Sequence, residues 1–187
     1  MATTPITELQ EAASAKIEGR VRAVKSLLSP CTGRSCVGFK ATLIVGAQSL
    51  ELSEVASFIL DDGTGQALIA FDGREAVTLE LDVDATRTIP ASRINDIPVL
   101  RDRGLGLSDH LGVVIYDEAI LAVDDTATVW GIAMREVLPR PALGPGAGYR
   151  EAGDTIMRLT RSPAAPIRIS SRRDRPRSGA ARKARSP

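Results

Sequence analysis

Phe58-Ile59-Leu60-Asp61-Asp62-Gly63-Thr64-Gly65-Gln66-Ala67-Leu68-Ile69-Ala70-Phe71 is the stretch whose reading decides the fold. Two apolar runs flank a short segment of Asp and Gly, residues that tolerate positive φ, and Gly63 and Gly65 are expected to supply it. The pattern is that of a β-hairpin. Working outward, Val77 to Leu81 reads as a further strand after Asp72-Gly73. Upstream, Ile17, Gly19, Val21 and Ala23 follow the two-residue period of a half-buried strand. Ser29-Pro30-Cys31-Thr32-Gly33 is a turn by composition. Cys36 to Val45 is a second strand, with Cys36, Gly38, Lys40 and Thr42 on one face and Val37, Phe39, Ala41 and Leu43 on the other.

Strand character returns at Leu111 to Tyr116, Thr126 to Met134, Thr155 to Leu159 and Ile167 to Ser170. Asp82 to Asp109 is read as irregular, with a short helix near Ser92 to Arg103 that Pro98 interrupts and Gly104 stops. Pro139 to Gly148 is a loop. Thr4 to Ala15 suits a short helix, with Thr4 as N-cap and Pro5 at the first helical position. The result is about eight or nine strands with one or two short helices and no βαβ alternation. The expectation is a mainly β fold, an antiparallel barrel or sandwich.

Composition bounds what such a domain does. The chain has 187 residues, 43% hydrophobic and 25% charged, enough for one core with extensions. No apolar run approaches the ~18 residues of a membrane span, and Met1 to Gln10 lacks the pattern of a signal peptide, so the expected location is cytoplasmic. Only 3% of residues are aromatic: Phe39, Phe58, Phe71, Tyr116, Trp130 and Tyr149. Their apolar surroundings read as core, not as a stacking platform for single-stranded nucleic acid. Arg172, Arg173, Arg175, Arg177, Arg182, Lys183 and Arg185 face one acid, Asp174, so residues 172–187 carry +6 and the other 171 residues carry −5. That tail has no apolar residue larger than Ala, is expected to be disordered, and is a candidate contact for polyanions.

No constellation of catalytic residues emerges. Two cysteines and one histidine exclude a zinc ribbon, finger or RING by ligand count, and no cofactor is expected. Cys31 and Cys36 read as structural thiols, with a disulfide or a metal role as the weaker alternatives. His110 reads as a surface-loop histidine. Asp61-Asp62 and Asp124-Asp125 are adjacent acids in turns, where a carboxylate bonds to nearby backbone instead of facing a substrate. Gly144-Pro145-Gly146-Ala147-Gly148 lacks the lysine and preceding strand of a phosphate loop.

Three stretches together resemble a known family. Ser29-Pro-Cys-Thr-Gly-Arg-Ser-Cys-Val37 is similar to the "SPLTGxPC" turn and strand of the GIDE domain. Phe58 to Gly65 resembles its "F-x-L-x-D-x-x-G" hairpin, with Ala67 to Phe71 in place of the following "V-x-V" strand. Tyr116-Asp-Glu-Ala-Ile-Leu121 leading to Val129-Trp-Gly131 resembles its "E-x-x-L…V-x-V-x-G" segment, and Tyr149-Arg150 and Pro166 to Ser170 also fit. One departure is the turn after Leu121, where the pattern "pGd" becomes Val123-Asp124-Asp125.

The GIDE domain occurs in mitochondria-anchored RING ubiquitin ligases of the MULAN or MAPL type and in related bacterial proteins. The resemblance implies an OB-like β-barrel that binds a protein partner. It implies no ligase activity, because the RING that carries it and both membrane spans are missing here. On that resemblance Ser29, Pro30, Gly33, Cys36, Phe58, Asp61, Gly63, Gly65, Glu118 and Gly131 are family-motif positions with a structural role. The expected organisation is an N-terminal helix or extension over residues 1–16, a barrel over 17–171 and the basic tail over 172–187. The expected function is a non-catalytic protein-interaction module with an unidentified protein partner. The rival is an OB-like nucleic-acid-associated protein that uses its basic tail.

Overall fold

In the computed structural model, the described residues are 1–45, 48–71, 77–83, 85–90, 113–137, 155–162 and 165–171. The 172–187 tail, His110, the helix expected near Ser92 to Arg103, Tyr149 and the 139–148 loop lie outside them. The described residues hold thirteen strands and one three-residue 3-10 turn, Ile6–Glu8. No helix among them is long and apolar enough to cross a membrane.

Five strands close on themselves: β1 (Ser14–Ala23), β6 (Phe58–Asp61), β7 (Gln66–Ile69), β12 (Thr155–Thr160) and β11 (Thr126–Val137). β1 pairs with β11 through Ser14 to Arg20 and with β6 through Arg20 to Ala23, so one strand serves both sides of the closure. This is a five-stranded barrel of OB type. Its edge is extended by β13 (Ile167–Ser171), which pairs with β11, and then by β8 (Val77–Leu81). The expected β6–β7 hairpin is present, with Phe58 opposite Ile69 and Asp61 opposite Gln66.

The barrel is not wholly antiparallel. β12 pairs with β7, and β13 with β8, in parallel. No helix makes these crossovers among the described residues. Between β7 and β12 the chain runs through a second sheet and β11, so the parallel pairs arise from long-range closure, which no local period announces.

The second sheet has the order β5-β4-β10-β9, built from β4 (Gly38–Val45), β5 (Gln48–Val55), β9 (Ala85–Pro90) and β10 (Val113–Leu121). β2 (Leu27–Leu28) and β3 (Ser35–Cys36) form a small separate ladder. The Cys36-to-Val45 strand expected from sequence is therefore broken at Val37. Its N–H donates to the Leu121 carbonyl at 2.8 Å, and its carbonyl accepts from Ala56 at 2.8 Å. β5 and β9 were not anticipated, and β10 runs on from Tyr116 to Leu121.

Two cores result. The barrel core gathers Ile17, Val21, Phe58, Leu60, Ile69, Val129, Leu159, Ile167 and Ile169, joined by Ile6, Val37 and Leu121. The second core gathers Cys36, Phe39, Ala41, Leu43, Leu52, Val114, Tyr116 and Ile120. Full burial of each large aliphatic or aromatic side chain contributes roughly 1.5–3 kcal/mol, so both cores are substantial. Of the aromatics, Phe58, Phe39 and Tyr116 are core, as expected. Trp130 is not. It stands on the outer face of β11 with Lys16 Nζ 5.5 Å and Arg168 Cζ 4.7 Å from its ring centroid.

The expected helix over Thr4 to Ala15 shrinks to the Ile6–Glu8 turn, and β1 already begins at Ser14. The N-terminal segment instead spans the barrel end. Thr4 N–H donates to the Lys16 carbonyl at 2.8 Å, Ala12 N–H to the Ala133 carbonyl at 2.7 Å, and Ile6 is buried in the barrel core. Asp62 anchors it: one carboxylate oxygen accepts from Ile6 N–H at 2.7 Å, the other from Thr64 N–H at 2.8 Å and Gly65 N–H at 2.9 Å. Asp61 likewise accepts from Gly63 N–H at 3.0 Å, so both acids perform turn chemistry. Gly63 has φ +81°, as the turn requires. Gly65 is not in the positive-φ region; a Cβ there would lie 3.2 Å from Ile6 Cγ2, so its role is to leave room for Ile6.

Gly131 is required sterically, because a Cβ would sit 2.7 Å from the Thr160 carbonyl oxygen across the β11–β12 pair. Gly131→Ala should lower stability by roughly 1–3 kcal/mol through forced backbone movement, and Gly63→Ala by about 1–2 kcal/mol through left-handed strain. Urea midpoints measure both, and an unchanged midpoint for Gly131→Ala would contradict the tight closure. Burial acts to raise the Asp62 pKa, but hydrogen bonds from Ile6 N–H, the Thr64 hydroxyl and the Gly65 and Thr64 N–H groups outweigh it, so the carboxyl is held below its ordinary 3.8. A depressed carboxyl stabilises the fold above its unfolded pKa and loses that contribution as pH falls through the folded value. Amide exchange at Ile6 should therefore accelerate, beyond the intrinsic pH trend, as the pH drops below about 4. Asp62→Asn should abolish that dependence.

Candidate functional site

Along β10 the inward positions are Val114, Tyr116, Glu118 and Ile120. A carboxylate occupies a slot in an apolar period, and Glu118 is 1% exposed. Its cross-strand neighbour on β4 is Ala41, whose small side chain leaves room above it. An ion in such a place must have its lone pairs satisfied.

The Ser29–Arg34 turn supplies the donors. Cys31 N–H reaches Glu118 Oε1 at 2.8 Å and Thr32 N–H reaches the same oxygen at 3.3 Å. Ser29 Oγ donates to Oε2 at 3.2 Å, and the Thr32 hydroxyl donates to Oε2 as well. The turn is also closed on itself. Ser29 N–H donates to the Arg34 carbonyl at 2.9 Å, Gly33 N–H to the Ser29 carbonyl at 3.0 Å, and Arg34 N–H to Ser29 Oγ at 3.1 Å. Gly33, at φ +67°, makes the reversal with no atom near its absent Cβ. A carboxylate from residue 118 thus replaces the core that a protruding turn lacks.

This clasp gathers five of the motif positions, Ser29, Pro30, Gly33, Cys36 and Glu118. The others lie elsewhere: Phe58 is in the barrel core, Asp61, Gly63 and Gly65 form the β6–β7 turn, and Gly131 lines the barrel closure. The polyanion candidates Arg172, Arg173, Arg175, Arg177, Arg182, Lys183 and Arg185 fall outside the described residues. The sequence marks Cys31 only as a structural thiol and Thr32 only as part of a turn, yet together they supply three of the four hydrogen bonds to Glu118.

The clasp holds its two thiols protonated at neutral pH. Cys31 and Cys36 are free thiols. Burial, reinforced by the charge and hydrogen bond of Glu118, pushes the Cys31 thiol up to about 12. Burial and Glu118 likewise push Cys36 up to about 11, against the lowering effect of the Gly38 N–H and Arg34. The nucleophilic thiolate is therefore scarce at neutral pH. Glu118 already accepts four hydrogen bonds. Among the described residues no group of three His, Cys, Asp or Glu side chains is placed to hold a metal ion.

What the clasp does is present a surface. β2 and β3 flank the turn, with Leu27 opposite Cys36 and Leu28 opposite Ser35. Leu27 packs into the second core, while Leu28 is 71% exposed and Val24, before the ladder, is 54% exposed. Lys25, Gly33, Arg34 and Ser35 are exposed beside them. This hairpin leaves the barrel between its first and second ring strands. Comparison of the chain with protein-family models, curated proteins and solved structures finds no match.

Glu118→Gln should lower stability by roughly 1–3 kcal/mol, because Nε2 replaces the Oε2 that accepts from the Ser29 and Thr32 hydroxyls, and the charge that strengthens all four hydrogen bonds is lost. A disulfide reagent should label Cys31 slowly at neutral pH, and the rate should climb with pH up to the alkaline limit of the protein, because a thiol with a raised pKa ionises late. Glu118→Gln should speed that labelling. Equal labelling rates in the native chain and the variant would contradict the clasp.

Proposed function

We propose that this chain is a non-catalytic protein-interaction module, with the clasped Leu27–Cys36 hairpin as its contact surface. The observation that carries the reading is the buried Glu118, fully engaged by the turn that holds Leu28 in solvent. An exposed leucine alone is ordinary, whereas a buried carboxylate is not. A carboxylate in a core is costly, and here it positions an exposed segment.

The GIDE resemblance points the same way. Two of the three motif stretches that carry it, Ser29–Val37 and Tyr116–Leu121, meet at Glu118, 86 to 89 residues apart in sequence. At the turn where the family pattern has glycine, Asp124 adopts φ +67°. Asp125 accepts from Ala122 N–H at 2.8 Å, and Asp124 pairs with Arg22. Such acids tolerate the left-handed conformation, so the departure from the pattern keeps a tight turn.

The nucleic-acid reading rests on the +6 tail. The face that OB modules offer to oligonucleotides, the outer side of β6 and β7, presents Ile59 and Leu68 without an aromatic, which favours a protein partner.

A photo-crosslinker in place of Leu28, in cells that natively carry the chain, should capture a defined protein. Glu118→Gln, which loosens the hairpin, should reduce the yield. Crosslinks to nucleic acid alone, or none at all, would overturn the reading. In parallel, the full chain with its seven tail cations changed to glutamine should lose any oligonucleotide binding seen by fluorescence anisotropy. Salt-tolerant binding that survives the change would move the nucleic-acid site to the barrel and favour the rival.

A further inference from the structure

Charge along the chain is segregated in a way that the overall +1 conceals. Residues 19–50 contain Arg20, Arg22, Lys25, Arg34 and Lys40 and not one Asp or Glu, a net +5. Residues 1–171 sum to −5, so the described body outside this stretch is strongly acidic. Of these five cations, Lys25 and Arg34 stand at the presented hairpin, while Arg20 and Arg22 lie on β1 and Lys40 on β4. Arg22 is paired with Asp124, with about half of its side chain still exposed. Lys25 makes no ion pair among the described residues. The acid that does lie beneath the hairpin, Glu118, is 1% exposed and shows little of its charge to solvent.

We infer that the hairpin docks an acidic segment of a partner protein, one in which Asp or Glu residues flank a large apolar side chain. This rests on the protein-interaction reading above and adds the chemistry of the partner. Val24 and Leu28 supply the apolar contact, while Lys25 and Arg34 frame it with positive charge. Complementary charge of this kind steers encounter and selects the partner, and the aliphatic contact sets its lifetime. Two other polyanions fit the surface less well. No aromatic lies between residues 19 and 38 on which a base would stack. The cations near the hairpin are fewer than the cluster of about four to eight that marks an anionic lipid surface.

The test is a selection of displayed random peptides on the immobilised full chain and, side by side, on the full-length double variant Lys25→Glu, Leu28→Asp. Both positions are exposed, so the variant should keep the native melting temperature, which is checked first. Enriched peptides should be net negative with at least one Leu, Ile, Phe or Trp. They should bind the variant at least about tenfold more weakly and lose affinity with added salt. Enriched peptides that need the hairpin but show no acidic bias would overturn the inference while leaving the interaction reading intact. A selection with no hairpin-dependent peptides, set against a successful Leu28 crosslink, would overturn it in the same way. Without that crosslink both readings fail. Parallel arms use a labelled 20-nucleotide DNA strand and phosphatidylserine vesicles, and hairpin-dependent binding of either one in place of peptides would also overturn the inference.

Discussion

One buried carboxylate determines how the Ser29–Arg34 turn is held to the body of the protein. Glu118 lies in the second core with no counter-ion on its own strand, and its hydrogen bonds come from a turn more than 80 residues earlier. Without that turn, the desolvated charge would be untenable. Without the charge, the turn would lose the four hydrogen bonds that tie it to β10. Each makes the other affordable, so the Ser29–Arg34 segment has the definition of a packed element while its tip remains in water. The raised thiol pKa values of Cys31 and Cys36 follow from the same carboxylate and the same burial.

Val37 ties this arrangement to the barrel. Cys36 and Phe39 belong to the second core, yet Val37 is buried in the barrel core and bonds to Leu121 and Ala56. Leu121 itself ends β10, the strand that carries Glu118. The clasp is therefore three residues from the seam between the cores. The barrel is closed where Gly19 and Gly131 let backbones approach, and its end is covered by Ile6. These features make it a rigid mount.

The parts of the fold legible in sequence are those whose causes are local. Phe58 to Ile69 announces itself because alternation and turn residues act over a few positions. β5 escaped notice because Ser, Glu and Gln have weak strand propensity and only Leu50 and Leu52 mark its inner face. β9 has the same difficulty, with Pro90 at its end. Thr4-Pro5 is a genuine helix-start signal, overridden because Ile6 gains more from entering the barrel end than from a helical turn. The parallel pairs depend on closure and had no local sign. For the site, the motif stretches were visible, but nothing in the sequence joined Ser29 to Glu118. One signal was present: Val114, Tyr116, Glu118 and Ile120 share a two-residue period, and a carboxylate in an otherwise apolar period calls for a buried donor set. Leu28, next to Leu27, looks like core until the register turns it outward.

The claim that everything else rests on is that Glu118 holds the hairpin in place. Native-state hydrogen exchange of the full chain, with and without Glu118→Gln, tests it most directly. The Cys31 and Thr32 amides should be strongly protected in the native chain and lose that protection in the variant, while barrel amides such as Val21 and Leu60 keep theirs. Protection at Cys31 and Thr32 that survives the substitution would contradict the clasp, as would exchange that accelerates equally at every amide.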